Sequence, residues 1–378
     1  MDLSRIFMKN ASPTKVGGQA ILEGLMMRGS RSIAIAIREP GGDIHLSVEP
    51  LKPSGGWKRI PVIRGVVSFV SSLVTGTSVL LYGAEVLEKL EGQAGSGSAA
   101  GAEDKVPGDA AGAEGNASAA PASSAEKDAL TLWLEKHFSE DTAFKLEMYI
   151  SVVLAILLTV VLFILAPTFV MSLIAKAGLK SVLALNLIEG LMRIAMFVCY
   201  IALVSRMPDI RRVFQYHGAE HKTIHCYENG LELTPENAQS FYTLHPRCGT
   251  SFMMFVMVIS LLVFSLFGWP GLAARVISRL LMIPVIAGLS YELLQWTGRH
   301  DNPLVRALSL PGIMLQRLTT AEPDLKQLEV AIAAMNAVLP AHEDPSLPVD
   351  YWVGHLTKDG PVKDEEETEE FRKKRSGK

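Results

Sequence analysis

The chain has 378 residues, of which 49% are hydrophobic, with a positive mean hydropathy of +0.25 and a formal net charge of -3. This composition favours a membrane protein over a set of soluble domains. The net charge is uninformative about nucleic acid, but the sequence has no basic patch with interleaved aromatic residues, so nucleic acid is not expected as a partner. Three cysteines are too few for a disulfide framework. The first residues lack the pattern of a secretory signal, so export is not expected.

Residues 1–59 predict a small β-containing element on the cytoplasmic side. Ile33–Ile37 and Ile44–Val48 alternate with period two, and Pro40–Asp43 between them is typical of a hairpin turn. The stretch Gly17–Gly24 precedes this hairpin, and its glycines permit tight backbone turns. We therefore expect an antiparallel β element before the first apolar run.

Two segments of different character follow. Residues 60–90 are apolar but contain Arg64 and several glycines and serines, so we interpret them as an interfacial or re-entrant segment. Residues 91–128 are rich in alanine, glycine and serine and cannot bury enough apolar surface to order themselves. We interpret them as a disordered linker.

About four transmembrane helices are predicted, arranged as two hairpins within residues 129–205 and 252–298. Each apolar run is long enough to cross a hydrocarbon core about 30 Å thick. The predicted spans are Tyr149–Ala175, Val182–Val204, Phe252–Trp269 and Ala274–Trp296. The second span carries Glu189 and Arg193 at positions i and i+4, an arrangement typical of an ion pair facing the interior of a helix bundle.

Lysine and arginine counts predict the orientation. The loop 206–251 and both terminal regions are rich in basic residues, which places all three in the cytoplasm by the positive-inside rule. Residues 299–340 predict an interfacial helix and an amphipathic helix, Leu325–Leu339, with Asp324 as its N-cap. Residues 341–378 mix acidic and basic residues and are interpreted as a solvated tail.

The loop 206–251 carries the chemistry. His217 and His221 are four residues apart, so on a helix both imidazoles lie on one face and can hold one metal ion, with Glu220 beside them. This order is the inverted form of a zinc-protease signature. His245 and Cys248 follow with the two-residue gap of a metal knuckle. His225 continues the helical spacing, whereas Cys226 and Glu228 are weaker candidates.

Two metal geometries remain open. If His217, His221, His245 and Cys248 all bind, the site is closed, tetrahedral and structural. If only three bind, water fills the fourth position, Glu220 acts as general base and Arg247 stabilises an oxyanion. Zinc is the expected metal, with another divalent ion as the alternative. The third, distant glutamate ligand of inverted-motif proteases has three candidates here, which are Glu228, Glu236 and Glu292.

Long motifs link the chain to a known family. The stretches GGQAILEGLMMRG, RGVVSFVSSL, YHGAEHKTIHCYENGLELTPEN, HPRCGTSF and PGIMLQRLTTAEPDLKQLEVAIAA resemble the YqhQ-like family of bacterial membrane proteins. The resemblance covers most of the chain except residues 91–128 and about forty residues at the C-terminus. It implies a location in the bacterial cytoplasmic membrane and a metal-dependent activity at the HGAEH and HPRC residues. It implies no substrate.

Together these observations predict a mainly α, polytopic helical membrane protein with a small N-terminal β element. The leading hypothesis is a zinc-dependent hydrolase acting on a membrane-associated substrate. The alternative is a non-enzymatic scaffold or transporter-like protein in which zinc only stiffens the loop and Glu189, Arg193 and Glu292 carry the function. The lipid bilayer is the expected partner, and the oligomeric state is not predicted.

Overall fold

The computed structural model describes residues 14, 16–51, 60–98, 140–178, 180–268, 271–300, 302–343 and 350–376. These residues form a helical bundle and one β-sheet with helices on both faces. Residues 99–128 of the predicted linker lie outside the described residues, whereas residues 91–98 continue the first helix.

The described strands form one antiparallel, six-stranded sheet in sequential order. The strands are β1 (Gly17–Ile21), β2 (Gly24–Arg28), β3 (Ser32–Arg38), β4 (Ile44–Pro50), β5 (Trp352–Thr357) and β6 (Gly360–Lys363). The predicted hairpin of residues 33–48 is therefore confirmed, with Ile33 opposite Glu49 and Ile37 opposite His45. The β element is larger than the sequence predicts because β4 also pairs with β5, in which His45 lies opposite His355.

The C-terminal region is not the solvated tail that its charges suggest. β5 and β6 complete the sheet, and helix α11 (Glu365–Ser376) follows them; Lys374 of this helix pairs with Glu85. The signal for this hairpin was present, since Lys358-Asp359-Gly360 is a turn sequence between two β-prone runs. The high local charge of residues 358–376 nevertheless favours a solvated tail, and the strand pairing shows that this expectation is wrong.

Both faces of the sheet are apolar. Successive side chains of β3 point to opposite faces, and its isoleucines and alanines are all hydrophobic. Ile33, Ile35 and Ile37 point into one core, which includes Val79 and Val86 of helix α1 (Ile63–Ser98). Ala34 and Ala36 point into the other core, where their small side chains let helices pack close to the sheet. That second core contains α5 (Pro208–Glu228) and α10 (Leu325–Glu343).

The amphipathic helix predicted from residue 325 is α10, and Asp324 caps it as expected. The Asp324 carboxylate accepts from the Gln327 backbone N–H at 2.8 Å, and the Gln327 side chain accepts from the Asp324 N–H at 3.0 Å. This reciprocal pair is a capping box, which satisfies backbone donors that the helix itself leaves free.

The bundle is formed by apolar helices that follow α1 and flank α5. Their bounds are α2 (Glu140–Val160), a π-helical turn (Val161–Leu165), α3 (Ala166–Lys176), α4 (Val182–Val204), α7 (Gly249–Ser265), α8 (Leu272–Thr297) and α9 (Pro303–Thr319); the short α6 (Pro235–Gln239) lies between α5 and α7. Close approach of α7 and α9 depends on Gly312, where an added Cβ would lie 2.8 Å from Ser251. Thus α9 packs against the bundle and buries Ile313 and Gln316.

Among the described residues, four helices are long and apolar enough to cross a membrane. They are Ile63–Leu90, Tyr149–Lys176, Val182–Val204 and Leu272–Thr297. Three coincide with predicted spans. The predicted span Phe252–Trp269 corresponds to α7, which has 17 residues. This helix starts directly after its N-cap, Cys248, and ends at Ser265, before the predicted end of the span. The segment interpreted as interfacial, residues 60–90, is a continuous helix from Ile63 onward, and this helix meets the length and composition required of a span.

Candidate metal centre

Helix α5 carries a row of histidines along one face. Pro208 occupies the first turn, where its missing N–H costs no hydrogen bond, and the helix ends at Glu228. His217, His221 and His225 recur every four residues, so their rings lie above one another on this helix. The ring centroids of His217 and His221 are 4.4 Å apart.

Three of the predicted ligands converge. His217, His221 and Cys248 each offer one donor atom, and these atoms lie within 4.8 Å of one another. Nε2 of His217 lies 3.2 Å from Sγ of Cys248. Two imidazoles and a thiolate are donors that zinc prefers, and three protein ligands leave its fourth coordination position open.

Backbone carbonyls orient both imidazoles of this group. Nδ1 of His217 donates to the carbonyl of Thr319 at 2.7 Å, and Nδ1 of His221 donates to the carbonyl of Thr243. With Nδ1 bonded to a carbonyl, Nε2 is the nitrogen that each ring turns toward the group, which is the arrangement typical of metal-bound histidine. Nε2 of His221 is buried and has no hydrogen-bond partner among the described residues. A buried, unpartnered nitrogen is costly in the absence of a ligand.

Cys248 is placed at the N-terminus of the apolar helix α7. Its sulfur accepts from the Thr250 N–H at 3.4 Å and from the Thr250 hydroxyl at 3.3 Å. Burial alone would raise the pKa of Cys248, but the charges of His217 and His221 bring it well below its usual value. Burial also opposes the charge of His217, yet the Cys248 thiolate raises the pKa of His217 to about 9. Cys248 is therefore favoured as thiolate, the form that binds metals.

Glu220 is buried next to this group and is held by the first strand. Its Oε1 accepts the backbone N–H of Gly18 at 2.7 Å, which ties β1 to α5. Burial raises the pKa of Glu220 above its ordinary value. The strand can approach this closely because residue 18 is glycine; an added Cβ would lie 3.0 Å from the Glu220 carboxyl carbon.

A second group of donors continues the row. His225, Glu228 and His245 are all buried, and one donor atom from each lies within 4.8 Å of the others. The ring centroids of His225 and His245 are 4.6 Å apart, and those of His221 and His245 are 5.6 Å apart. Burial lowers the pKa of His225 and brings that of His245 well below its ordinary value. Both rings are therefore favoured as neutral imidazoles, which can donate a lone pair.

The predicted ligand set is thus divided between two neighbouring groups. His217, His221 and Cys248 share one group, whereas His245 lies in the other. The guanidinium of Arg247 pairs with Glu228 rather than with the first group. Of the three glutamates considered as distant ligands, Glu228 alone lies in a donor group; Glu236 is exposed, and Glu292 pairs with Arg64.

His245 is held in place by α9. Gln316 accepts the His245 backbone N–H and donates to the His245 carbonyl, both at 2.8 Å. No local pattern predicts this contact, because the two residues are 71 positions apart. The grouping of His225 with Glu228 had a clearer signal, since a three-residue spacing places both on the face of α5 that carries His217 and His221.

A second polar cluster lies in the bundle, away from the donor groups. Glu189 is buried and accepts from Arg193 at 3.0 Å, as the spacing predicts. It also accepts from Arg279 of α8 and from the Thr168 hydroxyl at 2.9 Å. The cluster therefore links α3, α4 and α8.

Fold and site together define a class of helical membrane protein whose β-sheet domain carries a buried set of histidine, cysteine and glutamate donors. A family model described as "Protein of unknown function (DUF1385)" matches residues 60–341, and the chain belongs to this family. It is also 34% identical over 341 residues to "Uncharacterized protein YqhQ" of Bacillus subtilis (strain 168), which covers 88% of this chain and 94% of that relative. No solved structure matches the chain. The predicted family resemblance is confirmed.

Proposed function

We propose that the protein is a zinc-dependent hydrolase of the bacterial cytoplasmic membrane. The observation that carries this proposal is the convergence of His217, His221 and Cys248 next to a buried glutamate, Glu220. Three ligands leave one position for water, as catalytic zinc sites require. Another divalent metal is the alternative occupant.

Each residue of the site would have a separate role in hydrolysis. Zinc bound here would supply a water whose pKa is lowered to about 7. Glu220 would accept the proton of that water: Gly18 holds Oε1, and the carboxylate has a second oxygen for this role. Arg247 would stabilise a developing oxyanion, because its guanidinium has more N–H groups than its contact with Glu228 uses.

The position of the site in the chain supports a membrane-associated substrate. Cys248 directly precedes the apolar helix α7, and His217 donates its hydrogen bond to the carbonyl of Thr319 at the end of α9, which packs on α7. A substrate at the bilayer surface would therefore reach zinc bound near the start of α7. The basic loops support a cytoplasmic location for the site and for both termini.

The experiment compares metal content and hydrolysis in three forms of the full chain purified in detergent. Wild type should contain zinc and should hydrolyse members of a panel of acyl and phosphoryl esters in a chelator-sensitive manner. Glu220→Gln should retain the zinc and lose at least about 100-fold of that rate, the scale of general-base catalysis. Cys248→Ser should lose the zinc bound by His217, His221 and Cys248.

Two results would contradict the proposal. Purified wild type without zinc or another divalent metal would remove its basis. Glu220→Gln with wild-type rate would show that the glutamate is not the base. Glu236→Gln, the same change on an exposed residue of α6, is the matched control and should leave both readouts unchanged.

The alternative is a scaffold or transporter-like protein with a structural zinc. The buried cluster of Glu189, Arg193 and Arg279 supports it, because ionisable groups inside a membrane bundle often mark a transport pathway. In that case Glu220→Gln would leave the cellular role intact, whereas a hydrolase would lose it.

A further inference from the structure

The donors of helix α5 do not end at the proposed zinc. His225 and Glu228 continue the row of His217 and His221, and His245 approaches them from the loop before α7. The proposed zinc site uses His217, His221 and Cys248. It leaves His225, Glu228 and His245 without a role. All three are nearly excluded from solvent, with exposed fractions of 4%, 5% and 5%.

The free atoms of this group face one another. Glu228 uses Oε1 to accept from the Thr14 N–H at 2.7 Å and from Arg247, so these contacts fix the carboxylate. Its Oε2 lies 3.6 Å from Nε2 of His245. That separation is too long for a good hydrogen bond. An ion with bonds of about 2.1 Å to each atom would bridge it at an angle of about 120°.

Two further observations favour a metal ion between Glu228 and His245. Nε2 of His245 is buried and has no hydrogen-bond partner among the described residues. His225 Nε2 donates to the carbonyl of Leu244 at 2.9 Å, which leaves Nδ1 of that ring with a free lone pair. The group therefore presents two imidazole nitrogens and one carboxylate oxygen.

We propose that His225, Glu228 and His245 bind a second divalent transition-metal ion, so that the protein has a two-metal centre. This proposal rests on the proposed function for the first ion. The two positions differ in chemistry: the first contains a thiolate and favours zinc, whereas the second has nitrogen and oxygen donors that suit zinc, manganese or ferrous iron. Contacts of Glu228 with Thr14 and Arg247 orient its carboxylate, as partners of metal ligands usually do.

One contact in the structure argues for a simpler arrangement. The Arg247 backbone N–H lies 3.3 Å from Nδ1 of His245. With this hydrogen bond the neutral ring carries its proton on Nε2, facing Glu228, so a metal at Nε2 requires the ring to carry its proton on Nδ1 instead and to give up this long contact. The two arrangements predict different metal contents.

The test is metal binding to the full chain in detergent, using Co²⁺ as the probe after removal of bound metal. Wild type should bind two Co²⁺ per chain, one of which gives the intense near-ultraviolet absorption of a cobalt–thiolate bond. Glu228→Gln should bind one Co²⁺ and keep that absorption. Cys248→Ser should lose the absorption and retain the second ion.

His225→Gln is the second variant, in case Glu228→Gln fails to fold, and it should also reduce two ions to one. Glu232→Gln, an exposed position after α5, is the matched control and should bind two. One Co²⁺ in wild type, unchanged by Glu228→Gln and by His225→Gln, would overturn the second site and leave the proposed function standing. Binding of one ion without the thiolate absorption would instead overturn the first site.

Discussion

Glycine 18 shows how one residue sets the geometry of the candidate site. It lies in β1 opposite Met27, its N–H holds Glu220, and its neighbour Gly17 has no atom within 4 Å of a Cβ placed on it. A Cβ at residue 18 would lie 2.4 Å from the Met26 carbonyl oxygen, closer than van der Waals contact allows. A side chain is therefore excluded at residue 18 but tolerated at residue 17.

Gly18→Ala should destabilise the sheet by about 1–3 kcal/mol, the usual cost of overpacking, and should displace Glu220. Gly17→Ala is the matched control and should have little effect, because its Cβ meets no neighbour. Thermal unfolding in detergent, recorded at one heating rate, measures the difference. Equal melting temperatures for the two variants would contradict the close approach of β1 to α5.

At the scale of elements, the bundle depends on one shared carboxylate. Glu189 of α4 pairs with Arg193 on its own helix and with Arg279 on α8. The sequence predicts the first pair from the four-residue spacing. It does not predict the second, because nothing in the local pattern of α8 indicates which helix Arg279 faces.

Glu189→Gln removes the carboxylate that pairs with the buried guanidinium of Arg279 and the partly buried one of Arg193. Removing one partner of a buried pair typically costs about 3–5 kcal/mol. We expect a melting temperature well below that of wild type, whereas Glu236→Gln on the exposed surface of α6 should match wild type. A Glu189→Gln protein as stable as wild type would show that these charges are hydrated.

The elements predicted correctly are those with strong local patterns. The β3–β4 alternation, the Asp324 cap and three of the spans follow from residues close in sequence. The division of the metal donors does not, because it depends on where the loop around His245 meets α5. Gln316 fixes that meeting, and its contact spans 71 residues. Local spacing identifies the donors but does not assign them to groups.

At the scale of the whole molecule, the sheet constrains the membrane topology. β4 and β5 are hydrogen-bonded, so the N-terminal and C-terminal strands lie on the same side of the bilayer. Gln19 and Ile21 of this sheet contact Gly76 and Gly83 of α1. The second half of α1 therefore covers the sheet, and we expect this helix not to cross the membrane, in keeping with the interfacial interpretation of residues 60–90.

Labelling of single cysteines with a membrane-impermeant maleimide tests this arrangement. Gly41→Cys in the β3–β4 turn and Asp359→Cys in the β5–β6 turn should both be protected in intact cells and labelled after lysis. Lys180→Cys, between α3 and α4, is the control and should be labelled in intact cells. Opposite behaviour of residues 41 and 359 would contradict the paired strands. A background without Cys199, which is exposed, avoids unwanted labelling.

The pairing of β4 with β5 also dictates an order of assembly during synthesis. β4 ends at residue 50 and β5 begins at residue 352, so about 300 residues must leave the ribosome before β4 gains its second neighbour. Until then its edge presents unpaired backbone groups, which are sites of aberrant association. We expect the predicted hairpins, inserted meanwhile, to keep both strands at one membrane surface, and this confinement would shorten the search by which the late strand finds the early one.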